Sequence, residues 1–218
     1  MPTRLAVFDC DGTISDGQAA VCAAMAQAFS AAGLVVPPDH AIRRIVGLSL
    51  PVAVRHLAPD AEAGMHAQVV DAYRAAFFAA RSEGRVVEPL YAGIRELLGS
   101  LHGKGWRLGV ATGKSDRGLT GCLVNHGIAD LFVTLQTADR HPSKPDPAML
   151  AAAMAEAGAG PVDTVMIGDT AFDMAMARAA GCRAVGVAWG YHAPAELLEA
   201  GAEAIAQTTA ELEELIDG

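Results

Sequence analysis

The sequence predicts an α/β protein: a doubly wound parallel-sheet core with an inserted all-helical subdomain. Three features carry that prediction. The run Leu5-Ala6-Val7-Phe8 is apolar at every position, as in a strand buried on both faces of a sheet. From residue 85 onward, short apolar runs alternate with helical periodicity, the pattern of right-handed βαβ units. Between them, residues 17–84 are alanine-rich and show no strand pattern. The chain therefore divides into an α/β core of residues 1–16 and 85–218 and a helical cap of residues 17–84. An insertion at that point sits where it can close over the carboxyl end of the first strand.

Within the cap, Ala19 to Ala32 and Ala67 to Arg81 favour helix, with Gly33 and Pro37-Pro38 marking a break. Asp39 is placed to cap a helix running through Ile42, Ile45 and Val46. Gly47 ends that turn, and another helix begins near Pro51. After Glu88-Pro89-Leu90, residues Ile94, Leu97, Leu98 and Leu101 make a helical stripe closed by Gly103 and Gly105. Trp106 to Ala111 reads as a strand, followed by a helix to about His126 and a strand around Leu131 to Leu135. A loop through Pro142 leads to a helix over about Pro147 to Ala157 and a strand at Thr164 to Ile167. A helix at 171–180, a strand at Ala184 to Ala188 and a helix from Pro194 continue the alternation.

Composition narrows the class of function. With 218 residues, 52% hydrophobic and 19% charged, the chain builds a full core plus a subdomain. A net charge of −9, a pI near 5.1 and no basic cluster exclude a nucleic-acid partner. No stretch has the length to cross a bilayer, and the first residues lack the pattern of a signal peptide. Cys10, Cys22, Cys122 and Cys182 are scattered with no CxxC pair, the usage of reduced thiols in a cytoplasmic protein. Strand alternation turns Cys10 away from its neighbours Asp9 and Asp11, into core packing.

Asp9 and Asp11 project together at the carboxyl end of the first strand, the edge where open α/β sheets bind ligands. Two such carboxylates repel unless a cation or a shared proton intervenes, which suggests a magnesium site with one carboxylate free as a nucleophile. Alone, Asp9-Cys10-Asp11-Gly12-Thr13 fits equally well a capped strand end followed by an Asp-Gly turn. Three more polar clusters fall on the same edge: Thr112-Gly113-Lys114-Ser115, Ser143-Lys144-Pro145, and Gly168-Asp169-Thr170 with Asp173. A threonine hydroxyl and backbone amides at a helix start suit a phosphate oxygen. Asp169 and Asp173 enlarge an oxygen-rich set of the kind magnesium prefers, and Lys144 supplies a compact positive charge. Singly, each cluster reads as a helix cap or a solvated side chain; together they mark one edge of one sheet.

Asp9-Cys10-Asp11-Gly12-Thr13, Thr112, Lys144-Pro145 and Gly168-Asp169-Thr170 with Asp173 resemble, in order and spacing, the four motifs of the haloacid dehalogenase superfamily. The helical insertion resembles the C1-type cap of its phosphoglycolate phosphatase and β-phosphoglucomutase branch. The resemblance implies that Asp9 attacks phosphorus and Asp11 protonates the leaving oxygen, then activates water. It implies that Thr112, Gly113 and Lys144 hold the phosphoryl group. Mg²⁺ would lie on Asp9, the Asp11 backbone carbonyl and Asp169, with Asp173 acting indirectly. The expected partner is a small phosphorylated metabolite, and the expected state a monomer or homodimer.

The dehalogenases of the superfamily lack the second acid, which is present here as Asp11. Its phosphonatases use a cap lysine, and the lysines of this chain are Lys104, Lys114 and Lys144, none in the cap. A phosphosugar mutase shares the cap type and both acids, although Thr112-Gly113 leans towards a phosphatase. A non-catalytic phospho-ligand module would be signalled by loss of Asp9, Asp11 or Lys144, all intact. In the cap, Arg43, Arg44, Arg55 and His56 concentrate positive charge. Arg43 and Arg44 are candidates for the far end of an anionic substrate, with Gly47 and Leu48 at the lid tip facing the phosphate. Trp189-Gly190-Tyr191-His192 reads either as crevice rim or as packing.

Overall fold

A computed structural model describes residues 2–217; the outermost residues of the expected core, 1 and 218, lie outside the described range. The chain opens with β1 (Leu5–Phe8). Four helices follow: α1 (Gln18–Ala31), α2 (Asp39–Arg43), α3 (Leu50–Leu57) and α4 (Ala63–Ser82). The α/β alternation then runs α5 (Ile94–Gly103), β2 (Arg107–Thr112), α6 (Asp116–Asn125), β3 (Phe132–Thr137) and α7 (Ala148–Ala157). It continues through β4 (Thr164–Gly168), α8 (Ala171–Ala180), β5 (Arg183–Val187), α9 (Pro194–Ala200), β6 (Ala204–Ala206) and α10 (Thr209–Asp217).

The six strands form one parallel sheet in the order β3-β2-β1-β4-β5-β6. The order reverses beside β1, and the crevice at such a switch point is where doubly wound sheets bind ligands. Side-chain alternation explains why β1 is apolar throughout. Ala6 and Phe8 join the core under α5, α6 and α10, while Leu5 and Val7 join the opposite core under α7, α8 and α9. Cys10 continues the first set and is buried among it, next to Cys122 of α6 and Ser15. The helices between β1 and β2 have their own core, built from Cys22, Met25, Phe29, Ile42, Val54 and Val69.

Two stretches differ from expectation. The helix from Asp39 ends at Arg43, with Pro38 as its N-cap, and does not run on through Ile45 and Val46. Their amides bond three residues back, to Ile42 and Arg43, so the chain tightens before the left-handed backbone of Gly47 (φ 99°). The second difference is the chain end, where β6 and α10 follow α9. A three-residue strand is too short for an alternation signal. Among the described residues, no helix is long and apolar enough to cross a membrane.

Candidate active site

The polar clusters converge beyond the carboxyl ends of β1, β2 and β4. Asp9 extends the ladder of β1, its amide donating to the Ile167 carbonyl at 2.9 Å. Its carboxylate is fully buried: Oδ1 accepts from Cys10 N at 2.6 Å and pairs with Lys144 Nζ at 3.1 Å. Asp9 Oδ2 is buried with no hydrogen-bond partner. Lys144 is itself buried and also binds Asp173 Oδ1 at 2.6 Å. Thr170 caps α8 and donates to Asp173 Oδ2 through both its amide and its hydroxyl, so each Asp173 oxygen is occupied. Asp169 accepts from Thr13 Oγ1 at 2.8 Å and from the Tyr191 amide at 2.9 Å.

One carboxylate oxygen from each of Asp9, Asp169 and Asp173 falls within 4.8 Å of the others. Burial, reinforced by Asp173 and Asp11 and opposed by Lys144, pushes Asp9 up to about 7. Asp169 is raised well above the usual carboxylate range by burial and then by Asp9. Burial alone would lower the Lys144 ammonium, but Asp173 and Asp9 outweigh it and hold the pKa above its ordinary value. Among the described residues, the cations paired with the group Asp9, Asp11, Glu88, Asp169 and Asp173 are Lys144, Lys114 and Arg81. With all five ionised, the carboxylates would outnumber those cations by two, and Asp9 Oδ2 is left unpartnered. An oxygen-rich set with that imbalance fits a divalent cation.

The Asp11 side chain stands outside this trio. Instead, Asp11 Oδ1 lies 3.0 Å from Lys114 Nζ, which binds Glu88 Oε1 at 2.6 Å. Glu88 Oε2 in turn pairs with Arg81 of α4 at 2.7 Å. Of these four side chains, all but Arg81 are at most a tenth exposed. The sequence places Lys114 in the Thr112-Gly113-Lys114-Ser115 cluster without a role of its own, and gives Glu88 and Arg81 no part in the site. The one signal was position, a lysine directly behind Thr112-Gly113 at a strand end.

Thr112 is buried, and its hydroxyl accepts from the Lys114 amide at 3.2 Å. Gly113 meets the helical block: a Cβ there would stand 2.5 Å from the Leu48 carbonyl and 2.7 Å from that of Gly47. A Cβ on Gly47 would stand 3.8 Å from Asp9 Oδ2, so the turn before α3 lies directly over the carboxylate cluster. The Ser49 amide ties that turn to the core by donating to Ser143 Oγ at 2.9 Å. The segment Trp189 to His192 forms the rim, through Tyr191 N on Asp169 and Trp189 Nε1 donating to the Thr13 carbonyl.

A cavity of about 550 Å³ opens from Asp11, Gly113 and Lys114 between the helical block and the core. Gly47 and Leu48 line it, with Arg74, Arg81 and Arg117. Arg43 and Arg44 do not. Arg43 faces Asp39 one turn back on α2 at 3.8 Å, and Arg44 pairs with Glu196 of α9 at 2.6 Å.

The profile of the haloacid dehalogenase-like hydrolase family matches residues 6–187. A probable phosphatase, IndB, from Dickeya dadantii is 34% identical over 213 residues, covering 95% of this chain and 91% of its own. A phosphoglycolate phosphatase from Pseudomonas putida is 33% identical over 195 residues, covering 87% of this chain and 71% of its own. The crystal structure of a predicted phosphatase from Clostridium acetobutylicum superposes with a TM-score of 0.88 at 25% identity, covering 99% of each chain. With its motifs, sheet and relatives in agreement, this chain belongs to the haloacid dehalogenase-like hydrolases, in their phosphoglycolate phosphatase-like branch.

Proposed function

We propose that this hydrolase is a magnesium-dependent phosphatase, which releases phosphate from a small phosphorylated metabolite through an aspartyl-phosphate on Asp9. The observation that carries the reading is Asp9 Oδ2, buried without a partner while Lys144 holds the other oxygen. A buried carboxylate oxygen kept free beside a lysine is suited to attack an anion that the lysine also attracts. Asp9, the Asp11 carbonyl and Asp169 are the residues that would hold Mg²⁺, with Asp173 steadying the site through Lys144 and Thr170. When bound, the ion supplies charge neutralisation for the attacking carboxylate and the phosphoryl oxygens.

The chain's own groups account for the proton traffic. Asp9 forms its bond to phosphorus as the ester P–O bond breaks, and the leaving alkoxide takes its proton from Asp11. Asp11, now a carboxylate, takes a proton from water as that water attacks phosphorus. The Asp9–phosphorus bond breaks and inorganic phosphate leaves. Thr112 Oγ1 and the Gly113 amide lie at the carboxyl end of β2 and donate to the phosphoryl oxygens in this reading, while Lys144 offsets their charge. The helical block acts as a cap, with Gly47 and Leu48 sealing the phosphoryl site from water.

Rapid acid quench of an Asp11→Asn variant mixed with p-nitrophenyl phosphate and Mg²⁺, followed by peptide mass spectrometry, tests the reading. The expected result is one phosphoryl adduct on Asp9. An adduct elsewhere, or turnover undiminished in excess EDTA, overturns it.

A further inference from the structure

The cavity beside Asp11 is walled by apolar and aromatic side chains of the helical block: Met25, Leu50, Tyr73, Phe77 and Phe78. Tyr73 and Phe77 stack with centroids 5.8 Å apart and planes 22° from parallel. The Arg117 guanidinium lies 4.3 Å above the Phe78 ring, and Phe78 is half exposed. Two other cations of the wall are committed elsewhere: Arg81 is held by Glu88, and Lys114 by Glu88 and Asp11, while the exposed Arg74 faces Asp71 at 3.7 Å.

Size and chemistry agree on what this space excludes. A water occupies roughly 30 Å³ of liquid, so a two-carbon acid would leave most of about 550 Å³ to solvent. A carboxylate carried inward to the rings would find Arg81 and Lys114 already paired and Arg117 seated on Phe78, a poor exchange for its hydration. An aromatic ring gains on both counts. It displaces weakly held water from apolar surface and has ring faces and a guanidinium to pack against.

We propose that this cavity holds the alcohol portion of the substrate, and that this portion carries a planar aromatic ring. The proposal rests on the phosphatase reading above and deepens it: the substrate class is the phosphomonoesters of ring-bearing alcohols, not short acyclic acids. The ring occupies the space beside Phe77 and Phe78 while the phosphoryl group reaches Asp9 past Asp11.

Ethyl phosphate and 2-phenylethyl phosphate test it, because both leave as primary alcohols and differ in a ring remote from phosphorus. With Mg²⁺, kcat/KM for the phenylethyl ester is expected to exceed that for the ethyl ester by about 10- to 100-fold, the effect of burying one phenyl-sized group. Phosphoglycolate is expected to fall below the phenylethyl ester as well. The Phe77→Ala/Phe78→Ala variant, checked for native circular dichroism, is expected to reduce the phenylethyl-to-ethyl ratio at least about fivefold. Calorimetry with 2-phenylethylphosphonate and ethylphosphonate is expected to give the same preference without turnover. A ratio near one or below, or a ratio unmoved in the double variant, overturns the proposal while the phosphatase reading stands. If no ester is hydrolysed with Mg²⁺, both fall together.

Discussion

Lys114 Nζ stands 3.0 Å from Asp11 Oδ1 and 2.6 Å from Glu88 Oε1, and through Glu88 it reaches Arg81 of the helical block. Burial would lower the Lys114 ammonium, but Asp11, Cys10 and Glu88 hold its pKa well above the ordinary value. The acid assigned to the leaving group is thereby fixed by a permanent cation that is itself linked through Glu88 to the helical block. Burial raises Asp11, and Lys114 is the largest influence pulling it back down.

Lys114→Met is therefore expected to lower kcat by about 10²-fold, within the range that acid–base assistance contributes. It also leaves buried Asp11 without its ion-pair partner and Glu88 with Arg81 alone, at about 3–5 kcal/mol of stability. A merely structural role would lower stability alone. The distinguishing measurement is the pH profile of kcat, whose acid-base limb for Asp11 is expected to move upward in the variant.

Asp9→Asn is expected to abolish turnover with the fold retained. The change keeps the shape and removes one charge from a site where carboxylates outnumber cations. The melting temperature of the metal-free variant is expected to equal or exceed that of the metal-free parent. Residual activity above a few per cent of the parent (about 10⁻²) contradicts the assignment of Asp9 as nucleophile, since nucleophile and partners act as a unit.

The polar edge that forms the candidate site was legible in the sequence because each cluster is local. Each motif is a strand end and the few residues behind it, so Asp9, Thr112, Asp169 and Asp173 could be placed from the alternation of apolar runs. The links across the chain were not legible. Lys114 looks like any loop lysine until folding puts it against Glu88, 26 residues away, and Arg81 on a helix of the inserted block. Arg44 shows the reverse case. Its place in a cationic stretch suggested substrate contact, but the fold turns it to Glu196, 152 residues away. The aromatic wall was hidden for a related reason. Tyr73, Phe77 and Phe78 have ordinary helical spacing, and only the arrangement of α4 against the core separates a lining ring from a packed one. Short elements escaped too, since β6 has three residues and no period to read.

Metal removal gives a second route to the site. EDTA is expected to abolish activity, and Mg²⁺ to raise the melting temperature, its contribution to stability reaching about 2.7 kcal/mol at a hundredfold excess over Kd. Asp169→Asn is expected to remove most of that stabilisation, because Asp169 belongs to the trio that converges within 4.8 Å. Calcium is expected to bind and inhibit, since its larger coordination shell can take both Asp9 oxygens. A thermal-shift titration with each metal, run beside the activity assay, checks all three.

Docking of the helical block should weaken in mild acid through His192. Its ring is buried between the core and the helical block: Nδ1 accepts from the Ala171 amide at 3.2 Å, and Nε2 meets the Arg44 carbonyl at 3.1 Å. That pairing requires the neutral ring with its proton on Nε2. Burial lowers the pKa below the ordinary 6.5, with the Arg44 charge adding to it, while the Arg44 carbonyl, Glu196 and Asp173 oppose. A depressed folded pKa means that the unfolded chain takes up the proton first. The contribution of His192 is therefore complete above about 6.5 and is lost as pH falls through its folded value. Urea unfolding of the parent and His192→Ala is expected to differ by about 1–2 kcal/mol at pH 7.5, the worth of two buried hydrogen bonds. The gap is expected to narrow by pH 5. A gap that stays constant across that range would mean that the ring packs without titrating, and that its hydrogen bonds do not hold the block.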